Sequence, residues 1–130
     1  MTINNTEFKK AVIKAIDKVV VQGHLCRDKY GTCYYTSKQA DGKELCCPIG
    51  HMMPDIATRQ EAENHAGTGG SIQYLSRHGF HWAKQFSIAQ ISMLMKIQRA
   101  HDTTDTDVYE FKDITDKEVL PMLEDLLSKS

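Results

Sequence analysis

The segment at residues 86–97 constrains the fold most strongly, because it is apolar around much of a helical circumference. A helix that is apolar on several sides is usually buried by neighbours on several sides and lies at the centre of its domain. We therefore predict a central helix from about His81 to about Ala100. Its apolar residues are Phe86, Ile88, Ala89, Ile91, Met93, Leu94, Met95 and Ile97.

A second amphipathic helix is predicted between Asn4 and Gly23. Glu7 follows Asn4 by three residues, as in a capping box, and glycine commonly ends a helix. The lysines of this segment lie largely off its apolar stripe. We interpret them as a solvated face, with a partner-docking face as the alternative. The apolar stripe, at helical spacing, consists of Phe8, Val12, Ala15, Ile16, Val19 and Val20.

Turn and capping signals predict three further helices. A proline suits the first helical position, which predicts a helix at about residues 54–64. A serine cap and a glycine stop predict a short helix at residues 71–77. A last helix is predicted to start at a capping box formed by Thr115 and Glu118. Pro121 lies inside it and should bend it or delay its start.

One antiparallel β-hairpin is predicted at about residues 32–49. Asp41-Gly42 is a strong signal for a two-residue turn. A tight turn there places Thr36 opposite Cys47, whereas a looser turn shifts the register by one residue and exchanges the two faces. Side chains alternate along a strand. The residues predicted to share the buried face are Tyr34, Leu45, Cys47 and Ile49.

Length and composition complete the predicted fold class. The chain has 130 residues, of which 41% are hydrophobic and 25% charged, enough to bury one ordinary core. We therefore predict a single α+β domain at residues 1–130, mostly helical, with about five helices and one hairpin. The net charge of −1 creates no global field toward a polyanion, so a nucleic-acid partner is not expected.

The expected location is a cytosol. The first residues lack the basic and apolar stretches of a secretory signal. The longest apolar run, residues 86–97, is interrupted by polar residues and is shorter than the roughly 18–20 residues that span a bilayer. No membrane partner is expected, and the four cysteines should stay reduced.

Cysteine and histidine residues crowd the segment from residue 24 to residue 51, where a zinc site is conceivable. Structural zinc usually requires two closely spaced ligand pairs, and only Cys47 and His51 approach that spacing. The adjacent Cys46 and Cys47 point to opposite faces of a strand. We therefore predict buried thiols, no metal and no cofactor. If a metal is bound, its ligands are Cys33, Cys47 and His51.

Two other groups of residues are candidate binding sites. The loop with Gly69, Gly70 and Ser71 precedes a predicted helix start, where backbone amides can hold an anion. It lacks the lysine of a P-loop, so a flexible connector is the simpler interpretation. The second group is aromatic and lies at the entry to the central helix, where core packing is simpler and an exposed hot spot is the alternative. It comprises His78, Phe80, His81 and Trp82.

Short motifs over most of residues 8–102 resemble a group of small proteins encoded by tailed bacteriophages. The group pattern is C-x-Y-R followed by C-x-x-G-x-L-I-P-[DE]. The matching segments here are residues 33–35 and 47–55, although Thr36 replaces the arginine and Met52-Met53 replace Leu-Ile. A Q-x-x-H-D segment of the group is similar to residues 98–102. The resemblance implies a phage accessory protein that acts in the cytoplasm of a bacterial host, and it supplies no catalytic residue.

The leading hypothesis is a non-enzymatic protein that binds and inhibits or modulates a bacterial host or defence protein. The residues assemble no catalytic constellation, which favours binding over catalysis. One alternative is a small enzyme or zinc-binding domain that uses the cysteines and histidines. Another is a small-ligand or nucleotide binder that uses the loop at residues 67–71. The candidate contact residues of the leading hypothesis are Trp82, Phe80, His78 and His81.

Overall fold

A computed structural model describes the protein at residues 3–23, 36–38, 44–66, 72–77, 79–102 and 108–128, and most of these residues are helical, as predicted. The elements are helix α1 (Asn5–Gln22), strands β1 (Thr36–Lys38) and β2 (Glu44–Cys46), helices α2 (Pro48–Met52), α3 (Ile56–Ala66) and α4 (Ile72–Arg77), a 3₁₀ helix (His81–Gln85), helix α5 (Ile88–Asp102), and helices α6 (Val108–Ile114) and α7 (Leu120–Ser128), which a π-helical segment (Thr115–Val119) joins.

Helix α1 confirms the prediction made from its caps. The Asn4 side chain accepts a hydrogen bond from the Glu7 backbone N–H at 2.8 Å. Gly23 ends the helix in the left-handed conformation, with φ of 82°, which glycine adopts without steric penalty. The apolar stripe between these caps faces the core, and its buried residues are Phe8, Val12, Ala15, Ile16 and Val19.

The β-hairpin predicted at residues 32–49 is not seen over that range. Within the described residues, antiparallel pairing is confined to the three-residue strands β1 and β2. Thr36 lies opposite Cys46, so the predicted pairing of Thr36 with Cys47 is wrong by one residue. The short sheet therefore contributes little to a fold that helices dominate.

Helix α2 takes the place of the predicted strand end. Pro48 has no amide hydrogen for a strand ladder, but it fits the first turn of a helix. The burial predicted for Cys47 and Ile49 is confirmed, since both side chains are 0% exposed. They reach the core from a helix start and not from a strand. Tyr34 and the turn predicted at residues 41–42 lie outside the described residues.

Helix α5 occupies the predicted central position, because it packs against α2, α4, α6 and α7. Its predicted start was wrong: a 3₁₀ helix, His81–Gln85, precedes it, and α5 begins at Ile88. Ser87 and Gln90 form a capping box that starts a new helix at this point. Ile88, predicted to face the core, is 91% exposed because it lies in the first turn, on the outer side.

Residues 108–128 form one helical stretch that begins earlier than predicted. The capping box predicted at Thr115 and Glu118 is wrong, because Thr115 lies inside the helix. Its side chain is fully buried, and its hydroxyl donates to the Phe111 carbonyl at 2.7 Å. The hydroxyl therefore bonds to the preceding turn and does not cap a new helix.

The π-helical segment ends at Val119, two residues before Pro121. A proline inside a helix lacks the backbone N–H and crowds the carbonyl four residues earlier, which favours a wider turn at this point. The Leu120 N–H bonds to the Thr115 carbonyl, five residues back. The helix thus continues past Pro121, where the sequence suggested a bend or a delayed start.

The apolar faces of these helices meet in one cluster of buried side chains. Within the described ranges, no helix is both long enough and apolar enough to cross a membrane. The largest fully buried apolar side chains are Phe8, Phe80, Phe111, Ile49, Ile72, Leu75, Leu94, Ile97 and Leu123.

Candidate functional site

The end of helix α4 positions Phe80 of the predicted aromatic cluster. Gly79 has φ of 86°, and the Phe80 N–H donates to the Leu75 carbonyl five residues earlier at 3.2 Å. This is the hydrogen-bond pattern of a Schellman cap, in which the residue after glycine packs back on the helix. Phe80 is accordingly 1% exposed and belongs to the core.

The 3₁₀ helix then distributes the following side chains over three faces. Side chains three residues apart lie on one face of a 3₁₀ helix. Ala83 therefore points inward, as Phe80 does, whereas His81 and Lys84 are exposed. Trp82 lies on the third face and is partly buried against the core.

Aromatic contacts fix the orientation of Trp82. Its ring meets Phe86 edge to face, with centroids 5.0 Å apart and planes at 75°, and it lies 6.2 Å from Phe80. Phe86 in turn packs edge to face on Phe8 of helix α1 at 5.9 Å. Each such pair contributes about 0.5–1.5 kcal/mol beyond simple burial. The indole is thereby held on the core with part of its surface in solvent.

The four predicted contact residues thus have different surroundings. Phe80 is a core residue that supports Trp82, His81 is exposed beside it, and Trp82 itself is partly exposed. His78 lies outside the described residues. The structure brings Phe80 and Trp82 into contact, and it places only Trp82 and His81 where a partner can reach them.

Cys47 has a structural role that its sequence context suggested only in part. Its sulfur accepts a hydrogen bond from the Gly50 N–H at 3.3 Å, which makes Cys47 the N-cap of helix α2. The side chain of Cys47 is fully buried. Because a substrate cannot reach the buried sulfur, this thiol is a poor candidate for a nucleophile.

The rest of the segment at residues 47–55 joins α2 to its neighbours. His51 Nε2 lies 2.8 Å from the Gln22 side-chain oxygen at the end of α1. The Arg59 side chain donates to the Gly50 carbonyl at 2.9 Å, which ties α3 to α2. These contacts hold α2 against the end of α1 and the first half of α3.

Asp55 caps the start of helix α3. Its carboxylate accepts from the Thr58 backbone N–H at 2.8 Å and from the Thr58 hydroxyl at 2.7 Å. These two hydrogen bonds, with a smaller contribution from the charge of Arg59, lower the pKa of Asp55 below its ordinary value. The helix predicted at about residues 54–64 is confirmed as α3, but its predicted start at Pro54 is wrong, because Asp55 is the cap and the helix begins at Ile56.

Within the described residues, no group of three or more histidine, cysteine or acidic side chains could hold a metal ion. Cys33, one of the three alternative ligands, lies outside those residues, so the prediction of no metal stays a prediction. Gly69, Gly70 and Ser71 also lie outside them, and the anion loop they were predicted to form stays untested.

His101 and its neighbours, in the segment at residues 98–102, form a polar cluster that was not predicted as a site from the sequence. His101 is fully buried, with Nδ1 3.0 Å from Asp102 Oδ1, and Gln98 donates to the same carboxylate at 2.8 Å. Phe111 packs edge to face on the imidazole at 5.9 Å. A general base must reach the proton that it removes. The burial of this imidazole therefore favours a packing role.

The arrangement as a whole offers a rigid aromatic surface and no assembled catalytic group among the described residues. The exposed part of Trp82 is suited to a contact with another molecule, because aromatic packing on Phe80 and Phe86 already orders it. No protein-family model, curated protein or solved structure matches this chain.

Proposed function

We propose that this protein is a non-enzymatic binding module that inhibits or modulates a bacterial protein by covering part of its surface. The observation that carries the proposal is the position of Trp82, which is locked on the core yet partly exposed. The resemblance of residues 33–35 and 47–55 to phage accessory proteins supports a bacterial partner. The site of action is then the host cytoplasm.

The physical argument concerns conformational entropy. A side chain that is ordered only on binding loses rotamer freedom, which opposes association. Trp82 has already lost that freedom through its contacts with Phe86 and Phe80. Tryptophan is enriched among the residues that dominate protein interfaces, because it combines a large apolar surface with a polar N–H.

The neighbouring side chains suit the rim of such an interface. His81 and Lys84 are exposed on the adjacent face of the 3₁₀ helix. The Gln85 side chain donates to the Trp82 carbonyl at 3.0 Å, which stabilises the short helix that presents the indole. Polar residues around an aromatic anchor fit the usual anatomy of a protein interface.

The experiment captures bacterial proteins on the immobilised chain and compares variants by quantitative mass spectrometry. A specific partner should be retained by the wild type and lost with Trp82→Ala. The purified partner should then bind Trp82→Ala about 30-fold more weakly, which corresponds to the roughly 2 kcal/mol of an interface hot spot. Circular dichroism establishes that the variant remains folded.

Tyr109→Ala is the matched control, since Tyr109 is another aromatic residue and is 74% exposed on helix α6. His81→Glu adds a test that leaves the core untouched, because His81 is exposed beside Trp82. The proposed surface would be contradicted if Tyr109→Ala lost the partner as fully as Trp82→Ala does. Unchanged partner binding with both Trp82→Ala and His81→Glu would contradict it as well.

A further inference from the structure

The outward face of helix α1 carries two parallel rows of side chains, each with a spacing of four residues. Residues four apart are neighbours on a helix surface, so each row forms a continuous ridge. One row is basic and the other is apolar at both ends, and together they line a shallow depression. The basic row is Lys10, Lys14 and Lys18, and the second row is Ile13, Asp17 and Val21.

These side chains are available for a contact. Val21 is 86% exposed and Ile13 is 37% exposed, whereas the opposite face of α1 is buried. Lys9, on the flank of the same helix, pairs with Glu124 of helix α7. Among the described residues, the ion pairs involve none of the three lysines of the basic row.

The shape of the depression fits a helix. A groove between two rows with four-residue spacing accepts the matching ridge of a second helix, which then crosses at about −50°. From Lys10 to Lys18 the groove is about 12 Å long at the helical rise of 1.5 Å per residue. A partner helix of a few turns is therefore long enough to cover it.

The charge pattern identifies the chemistry of that helix. Three lysines on one ridge attract a row of carboxylates, and electrostatic complementarity of this kind sets the orientation of a partner. Asp17, in the middle of the second ridge, disfavours acidic groups on that side. The partner helix thus carries its acidic row on one side only.

A protein helix fits this face better than a nucleic acid does. Nucleic-acid recognition gains most of its affinity from phosphates, and typical binding proteins neutralise about 6–10 of them. The groove offers three lysines, and a phosphate backbone would leave Ile13 and Val21 without an apolar contact. We propose that the groove of helix α1 binds an acidic amphipathic helix of a partner protein. This inference is independent of the surface around Trp82.

The test uses a fluorescein-labelled, stapled helical peptide as the probe. It carries leucines four residues apart in one row and glutamates four residues apart in the adjacent row. A matched peptide has lysines in place of the glutamates. Fluorescence anisotropy at low salt should give a Kd for the acidic peptide at least about tenfold lower than that for the basic peptide.

Single variants locate the binding. Lys14→Glu and Val21→Asp should each weaken binding of the acidic peptide about tenfold or more, since one reverses a charge on the basic ridge and the other removes the apolar end. The controls make the same changes elsewhere: Lys96→Glu and Ile88→Asp alter exposed residues of helix α5. All four sites are exposed, and thermal unfolding checks that the variants fold.

Several results would overturn the inference. They are equal affinity for the two peptides, no binding of the acidic peptide, or an equal loss of affinity with Lys96→Glu, which would indicate a general charge effect. Tighter binding of a short DNA duplex than of the acidic peptide, lost with Lys14→Glu, would show phosphate recognition in place of helix recognition. Trp82→Ala should leave peptide binding unchanged, so this test and that of the aromatic surface fail separately.

Discussion

Ser87 and Gln90 cap the central helix reciprocally: the Gln90 side-chain oxygen accepts from the Ser87 N–H at 2.9 Å, and the Ser87 hydroxyl oxygen accepts from the Gln90 N–H at 3.1 Å. The amide nitrogen of Gln90 also donates to the Ile3 carbonyl and to the Asn5 side chain, each at 2.9 Å. One buried side chain thus joins the starts of helices α5 and α1.

Gln90→Ala should therefore destabilise the protein substantially. The change removes one half of the capping box and leaves the Ile3 carbonyl without its bond from the amide nitrogen. The loss of a buried hydrogen-bond partner costs about 1–3 kcal/mol. Urea unfolding measures the change. Gln60→Ala, at an exposed position of helix α3, is the control and should stay within about 0.5 kcal/mol of the wild type. Equal effects of the two changes would contradict the role of Gln90.

Cys47 allows a test of its cap that separates hydrogen bonding from volume. Serine at this position keeps an acceptor for the Gly50 N–H, whereas alanine removes it. Loss of an N-cap costs about 1 kcal/mol, and the lost sulfur leaves a small void in addition. We expect Cys47→Ala to lower the free energy of unfolding more than Cys47→Ser does. The reverse order would mean that the buried hydroxyl is worse than a missing cap.

The start of helix α3 should give a specific acid sensitivity. Hydrogen bonds from Thr58 lower the pKa of Asp55 from its ordinary value of 3.8, so the folded state binds a proton less readily than the unfolded state does. The Asp55 carboxylate makes its full stabilising contribution above pH 3.8, and this contribution is lost as the pH falls through the folded-state pKa. Thermal unfolding of Asp55→Asn, which keeps a neutral cap, should show a weaker decline in this range than the wild type. Parallel curves for the two proteins would rule out the linkage.

The local signals that proved reliable were those in which a single residue determines backbone geometry. Asn4 and Gly23 bound helix α1 as predicted, and Gly79 ends the turn after α4. The wrong boundaries arose where two signals competed. Threonine is common at helix starts, but Thr115 is buried in the core and lies in a helix interior. This is a tertiary effect that residue spacing alone does not reveal.

The predicted end of the second strand, at residues 47–49, was wrong for a related reason. Cys47-Pro48 reads equally as a strand end or as a cap followed by the first residue of a helix, and the structure shows the second, with the Cys47 sulfur accepting from the Gly50 N–H. Of the candidate site, Trp82 and His81 could be named from the sequence. The burial of Phe80 and Ala83 on one face could not be predicted, because the segment was expected to be an α-helix and a 3₁₀ helix has a different period.

The metal prediction concerns the segment around Cys47 and His51. Purified protein should carry no stoichiometric zinc, and a chelator should leave the Tm unchanged. The Cys47 sulfur already accepts a hydrogen bond, and the His51 ring already contacts Gln22, so binding zinc would require both contacts to rearrange. Elemental analysis and melting with and without chelator make the measurement. One equivalent of zinc, lost together with the fold in Cys47→Ala, would establish a structural site.

The last prediction separates binding from catalysis. If the protein acts by covering a partner's surface, His51→Gln should leave both partner binding and its effect intact, because His51 lies on α2, where it serves the contact with Gln22. A glutamine side chain can still hydrogen-bond to Gln22, so we expect the variant to fold. Trp82→Ala should weaken binding and effect together. The measurement is the partner's activity titrated with each variant, alongside the Kd. If folded His51→Gln still bound the partner but no longer changed its activity, the histidine would act in a chemical step, and the binding-module proposal would give way to an enzymatic one.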